Sequence, residues 1–193
     1  MPAPERSRNR GRAAAAENHA ALLAAARRVF ARDGYRGPFN AIAREAGVGQ
    51  GVLYRHFPDR LSLAFAVFAE NYAELERLVA ETPGPECFHV VWGRVIDFTV
   101  ESVAFVEMVI DARSQLPESL GEQRLEHLLE APLRDAQGAG LVDPTWTSHD
   151  ILLLQHMVYG VVIAQVDPAD APAAVRRALE LVDPRLASGR TFP

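Results

Sequence analysis

The chain has 193 residues, a net charge of -5 and a hydrophobic fraction of 49%, so it is long enough to bury a sizeable core. Its single cysteine excludes a disulfide within the chain and suits a reducing compartment. Because no apolar stretch has the length of a signal peptide core or a membrane span, we expect a cytoplasmic protein without a membrane partner.

Positive charge is concentrated at the start of the chain. Residues 1–60 contain eleven arginines and five acidic residues, whereas residues 61–193 contain nine arginines and twenty acidic residues. A basic end on an acidic body is typical of a chain that binds nucleic acid with that end.

Residues 1–16 show no hydrophobic periodicity, which predicts a disordered arm. The arm contains Arg6, Arg8, Arg10 and Arg12. Arginines on a flexible arm either reach into a DNA minor groove or add sequence-independent attraction to phosphates, and the sequence leaves both alternatives open.

Three helices are predicted next. An apolar stripe indicates a first helix over about 18–32, and apolar residues on one face indicate a second over 39–46. Gly47 ends the second helix, and a third runs over 50–57. Two short helices joined by a glycine-containing turn form the helix-turn-helix pattern, whose second helix enters the DNA major groove.

The rest of the chain is predicted to be helical. A long helix over 60–81 ends at the breaker Thr82-Pro83-Gly84-Pro85. Apolar periodicity predicts further helices over 86–101, 103–114, 118–139, 147–165 and 173–182, with a kink or break at Pro132. The helix over 147–165 is apolar almost all round and needs cover on both sides, which favours a homodimer.

A specific motif lies in the helix-turn-helix segment. It reads Ile42-Ala43-x-x-Ala46-Gly47-Val48-x-x-Gly51-x-Leu53-Tyr54-x-His56-Phe57. This string resembles the DNA-binding signature of the TetR family of bacterial transcriptional regulators. The resemblance covers about the first third of the chain and implies an all-α fold. In that fold, a three-helix DNA-binding domain over 17–60 is joined through a long helix to a helical effector-binding and dimerisation domain over 61–193.

The resemblance also implies which residues contact double-stranded DNA. Gln50 can bond a base edge, and Val52 can touch a thymine methyl group. Tyr54, His56 and Arg60 are expected to contact phosphates. The full expected set is Arg44, Gly49, Gln50, Gly51, Val52, Tyr54, Arg55, His56 and Arg60.

The motif departs from the family pattern at three positions. Pro38, Gly49 and Val52 stand where the family commonly has serine or threonine, so three hydroxyl groups are missing. Asn40 is a substitute hydrogen-bonding group at the start of the second helix. The operator sequence is therefore not predicted.

The family resemblance implies that the last two helices of each subunit form a four-helix dimer interface. Its expected residues are Leu154, Met157, Val158, Val161, Val162, Val175, Leu179 and Val182. A dimer would place two recognition helices on a pseudo-palindromic operator.

An unknown small-molecule effector, largely hydrophobic, is expected to bind the body. The residues that are candidates for binding it are Phe68, Tyr72, Phe88, Trp92, Arg113, Trp146, His156 and Tyr159. Aromatic residues at helical spacing are more often core than pocket, so the core is the alternative interpretation of this set. His156 would orient an effector or bond a neighbouring subunit, and Arg113 would meet an anion or cap helix carbonyls.

Catalytic, metal and cofactor sites are not expected. Ser148, His149 and Asp150 are consecutive, and neighbours on a helix cannot converge as a catalytic triad. The family resemblance implies a dimeric regulator, a repressor released by its effector. The alternatives are a DNA-binding regulator without an effector, and a helical enzyme or ligand carrier.

Overall fold

The computed structural model describes residues 5–101 and 122–187, apart from the side chains of residues 5–12, 68 and 122. Throughout these ranges the regular structure is helical, as predicted. The expected helix over 103–114 and the candidate Arg113 lie outside the described residues, as does the side chain of Phe68. The helices are α1 (Glu5–Asp33), α2 (Phe39–Glu45), α3 (Gln50–His56), α4 (Arg60–Glu81), α5 (Cys87–Glu101), α6 (Glu122–Gly138), α7 (Ser148–Ile163), α8 (Ala171–Val182) and α9 (Pro184–Ala187), with a 3-10 turn at Pro168–Asp170.

Helix α1 is longer than predicted. It begins at Glu5 rather than near residue 18, so the prediction of a disordered arm was wrong from residue 5 onward. The run of four alanines at 13–16 supplies the physical reason, because alanine is the strongest helix former and arginine is also favourable. Helix propensity here outweighs the missing apolar face.

The DNA-binding domain is held together by one apolar cluster. Leu22 and Val29 of α1 are fully buried together with Ile42 of α2 and Leu53 of α3. Phe57, directly after α3, is buried beside them. Because each short helix contributes so few core residues, α2 and α3 depend on α1 for their position.

The turn between α2 and α3 follows from Gly47. Its φ angle is +69°, a left-handed conformation that glycine adopts without steric cost. The Val48 amide donates to the Ala43 carbonyl at 3.0 Å, and the Gly47 amide donates to the Arg44 carbonyl at 3.2 Å. These two bonds form a Schellman motif, which ends α2 and aims the chain into α3.

Helix α4 joins the DNA-binding domain to the body without a linker. Asp59 and Ser62 form a capping box at its start, in which the Ser62 amide donates to Asp59 at 2.7 Å. Arg27 of α1 donates to Asn71 of α4 at 2.6 Å and pairs with Glu70 at 3.1 Å. The middle of α4 is therefore tied to α1.

The body is a helical cluster around α5. Phe88, Trp92 and Ile96 are buried on α5, which packs against α4, α6 and α7, while α7 packs against α8. Thr147 and Asp150 form a capping box at the start of α7. Helix α6 runs past Pro132 instead of ending there. Within the described ranges, no helix combines the length and apolar character needed to cross a membrane.

Candidate nucleic-acid interface

The outer face of α3 is open to solvent. Gln50, Gly51, Tyr54 and Arg55 are exposed, while Leu53 on the opposite face is fully buried. Hence four of the residues expected to face DNA lie together on the exposed side of a helix that is anchored on its inner side.

The two glycines at the start of α3 have no role in internal packing. A Cβ atom built on Gly49 or Gly51 would meet no other atom within 4 Å, and neither residue has a positive φ angle. Glycine inside a helix costs stability relative to alanine. Gly51 is therefore unexplained by the fold of the free protein and suits a surface that another molecule approaches closely.

Tyr54 is positioned by α2. Its ring contacts the edge of Phe39 with centroids 5.5 Å apart, and its hydroxyl donates to Asn40 Oδ1 at 3.3 Å. Pro38, at the N-cap of α2, makes no side-chain capping bond, as expected from its missing hydroxyl. Asn40 thus orients the Tyr54 hydroxyl at the exposed surface, where 48% of Tyr54 is accessible.

His56 lies at the end of α3 beside a residue that the sequence reasoning missed. The rings of His56 and His19 of α1 are 5.7 Å apart, and His19 also contacts Phe57 at 5.0 Å. His19 precedes Leu22 by three positions on the inward stripe of α1. That helical spacing was the available signal that it would meet α3.

Arg60 does not face outward as expected. Its guanidinium donates to the carbonyl oxygens of Tyr35 and Gly37 and lies over the rings of Tyr35 and Phe39, at 5.5 and 5.8 Å. The expectation of a phosphate contact is therefore corrected for this free structure. Arg60 holds the loop between α1 and α2, because loop carbonyls without backbone partners attract a buried donor.

Four further arginines of the domain divide into two groups. Arg28 and Arg32 pair with Glu45 at 2.8 and 3.7 Å. Arg44 and Arg55 are exposed, and no ion pair engages either of them within the described part of the chain. Their charges are available to a phosphate backbone, as expected from the sequence.

The described residues that were expected to bind the effector do not lie together in a single group. Phe88 and Trp92 are buried and stack with ring centroids 6.4 Å apart. Tyr72 is buried on α4 under the Arg124 guanidinium, while Trp146 and Tyr159 are half-buried. His156 lies exposed on the outer face of α7, so its assignment to an internal pocket is corrected.

Two buried polar atoms in α5 lack hydrogen-bond partners. Trp92 Nε1 and His89 Nδ1 are both unpaired, and the two residues are three positions apart on the helix. His89 Nε2 lies 3.0 Å from the Arg185 carbonyl oxygen, so Nε2 carries the proton and Nδ1 is an acceptor. The body thus offers one unused donor and one unused acceptor on neighbouring turns of α5.

Five of the expected dimer residues are inside the subunit. Their burial within a single chain leaves no side-chain surface for a partner, so they are corrected. They are Leu154, Val158, Val162, Val175 and Leu179. Helix α7 is apolar on both sides, and the apolar periodicity alone does not show which side packs against the core of its own subunit. Met157 and Val182 are exposed, and Val161 is half-buried.

A metal centre finds no support in the described ranges, where no three His, Cys, Asp or Glu side chains are grouped suitably for a metal ion.

Comparison with known proteins identifies the family. The model of the family "Bacterial regulatory proteins, tetR family" matches residues 22–67. No curated protein matches the chain.

Solved structures are similar over most of the chain. A TetR transcriptional regulator, SCO0520 from Streptomyces coelicolor, is 30% identical, with 91% of this chain and 99% of that chain covered and a TM-score of 0.63. A TetR regulatory protein from Mycobacterium vanbaalenii is 28% identical over 79% of this chain and 95% of that chain, with a TM-score of 0.61.

A third structure, described as the molecular basis for control of antibiotic production by bacterial hormones, is 26% identical. It covers 84% of this chain and 94% of that chain, with a TM-score of 0.63. With the helix-turn-helix geometry above, these similarities establish that the chain belongs to the TetR family of bacterial transcriptional regulators.

Proposed function

We propose that this protein is a homodimeric repressor that binds a pseudo-palindromic operator through α3 of each subunit and is released by a small effector. The observation that carries the DNA-binding part is the exposed outer face of α3, anchored by Leu53 and flanked by the unpaired charges of Arg44 and Arg55. Base readout would come from Gln50 and Val52, and Tyr54 and His56 would hold phosphates.

The dimer is supported by the distribution of exposed apolar side chains. Of the eight large exposed apolar residues in the described ranges, six lie between residues 153 and 182. Leu153, Met157 and Ile163 follow one face of α7, and Leu181 and Val182 lie at the end of α8. Exposed apolar side chains concentrated on two helices that pack against each other are typical of an interface, and a two-fold axis would pair them with their copies in the partner.

The effector is supported by Trp92 and His89. Buried polar atoms are almost always hydrogen-bonded in folded proteins, so two unpaired ones three positions apart on one helix favour an absent partner. A hydroxyl group can accept from Trp92 Nε1 and donate to His89 Nδ1. We propose an apolar effector with such a group, and the similarity to a structure concerned with bacterial hormones agrees with a small-molecule signal.

Replacing Gln50 with alanine tests base readout. We expect operator affinity to fall by about 5- to 150-fold, because a good side-chain contact to a base is worth about 1–3 kcal/mol. Binding to unrelated DNA should change little. The measurement is fluorescence anisotropy with an operator selected from random-sequence DNA. Gln123→Ala, the same change on the exposed surface of α6, is the matched control. If Gln50→Ala left both affinity and selectivity unchanged, Gln50 would not read the operator.

Replacing Gly51 with alanine separates stability from binding. The free protein should become more stable by about 0.5–1 kcal/mol, because alanine favours the helix and its Cβ meets nothing. Operator affinity should drop roughly tenfold or more, about 1.4 kcal/mol, since the added methyl group stands between α3 and DNA. Thermal unfolding and anisotropy measure the two effects. Unchanged affinity would contradict a close approach of DNA to Gly51.

The substitution Met157→Arg tests the interface. A charge facing its own symmetry mate in an apolar contact is strongly unfavourable, so sedimentation velocity should show monomers. The fold should survive, because Met157 is 55% exposed in the single subunit. Val90→Arg, at another exposed apolar residue, should leave the dimer intact. A dimer that persists in Met157→Arg places the interface elsewhere.

A thermal-shift screen tests the effector. The panel is small apolar alcohols, each paired with a hydrocarbon of the same size. A ligand at about 100 times its Kd should stabilise the protein by about 2.7 kcal/mol and dissociate the operator complex. Trp92→Phe should abolish the preference for the hydrogen-bonding compound, and Trp146→Phe should not. A panel without any hit favours the alternative, a regulator that answers to no small molecule.

A further inference from the structure

We propose that the first part of α1, residues 5–17, is a second DNA-contacting element that binds phosphates beyond the base pairs read by α3. This inference rests on the proposed DNA binding, and it assigns a function to a segment that the helix-turn-helix does not use.

The segment extends away from the domain. Every residue from 13 to 17 is exposed, and the first fully buried side chain of α1 is Leu22. At 1.5 Å per residue, the helix from residue 5 to residue 17 is about 18 Å long. The exposed residues 13–17 add nothing to the core, so the helical structure of this stretch is unexplained by the fold alone.

The place where the segment leaves the domain is the end of α3. His19 contacts both His56 and Phe57, with ring centroids 5.7 and 5.0 Å away. His56 belongs to the surface proposed to face phosphates. The segment therefore starts beside the outer edge of the interface rather than on the far side of the domain.

The composition of the segment fits a polyanion. Residues 5–17 contain four arginines, at 6, 8, 10 and 12, and two glutamates, Glu5 and Glu17, one at each end. The spacing puts like charges four positions apart twice, which weakens an isolated helix. Phosphates would relieve that repulsion, and double-stranded DNA has one phosphate for every 3.4 Å of axis per strand.

The helical state decides between the two modes of binding that the sequence left open. An α-helix with side chains is about 10–12 Å wide, whereas the minor groove is about 6 Å wide. A helical segment therefore does not enter the minor groove, and α3 already occupies the major groove in the proposed complex. Phosphate contacts along the edge of the duplex remain, and these raise affinity without reading sequence.

The test replaces all four arginines, Arg6, Arg8, Arg10 and Arg12, with glutamine, which removes the charge and keeps a good helix former. The dissociation constant is measured from about 50 to 200 mM salt for the selected operator and for an unrelated duplex of equal length. We expect the slope of log affinity against log salt to become shallower by about 2–4, because each phosphate contact contributes about 0.9. The ratio of operator to unrelated affinity should stay the same.

A matched control removes four arginines from the body. The variant with Arg77, Arg134, Arg176 and Arg177 replaced by glutamine loses the same total charge at exposed positions of α4, α6 and α8. Its salt slope should equal that of the wild type. A slope that fell equally in both variants would show a general charge effect and would overturn the inference.

The substitution Ala15→Pro tests whether the helix itself is needed. Proline keeps all four arginines but stops α1 from continuing to Glu5, and residue 15 has no packing to lose. We expect the shallower slope of the four-arginine variant, together with lower helicity by circular dichroism. A wild-type slope in Ala15→Pro would show that the charges act as a flexible tail and would overturn the helical element.

The outcomes of these experiments distinguish this inference from the proposed function on which it rests. Wild-type protein that selects no DNA sequence overturns the proposed function and this element with it. Selective binding by the wild type with an unchanged slope in the four-arginine variant overturns this element alone.

Discussion

The DNA-binding surface depends on the packing of Leu53 into the apolar cluster of the domain. A seven-residue helix such as α3 is not stable alone, so its orientation comes from packing. Leu53 inserts among Leu22 and Ile42, and Phe57 closes the end of the helix. Because two side chains on the inner face fix the position of α3, the outer face is free of packing constraints. Its residues can change with the operator while the fold stays the same.

The arginines of the first third of the chain have different roles that net charge alone does not separate. Arg27 ties α1 to α4, Arg28 and Arg32 pair with Glu45, and Arg60 holds loop carbonyls. These four charges are largely used within the domain. The positive surface available to DNA is therefore smaller than the sequence total suggests, and it is concentrated around Arg44, Arg55 and the start of α1.

The sequence predicted features that follow from local chemistry. The bounds of α4 and the glycine turn after α2 are confirmed, because breakers and apolar periodicity act over a few residues. Features that depend on distant partners were missed. The apolar periodicity of α7 did not show which of its two apolar faces packs inside the subunit. The orientation of Arg60 toward the loop before α2 also has no signal in the neighbouring sequence. The unpaired atoms of His89 and Trp92 could also be identified only from the packed structure of the body.

The continuity of α4 has a geometric consequence for signalling. Its 22 residues form a rod of about 33 Å with the DNA-binding domain at one end and the body at the other. Arg27 ties the middle of α4 to α1, and the capping box fixes its first turn, so the domain and this half of the rod turn together. A tilt of about 5° at the body end would displace the domain by about 3 Å, roughly the length of one hydrogen bond. In the proposed complex with DNA, a movement smaller than a side chain inside the body would thus be enough to take α3 out of register with the major groove.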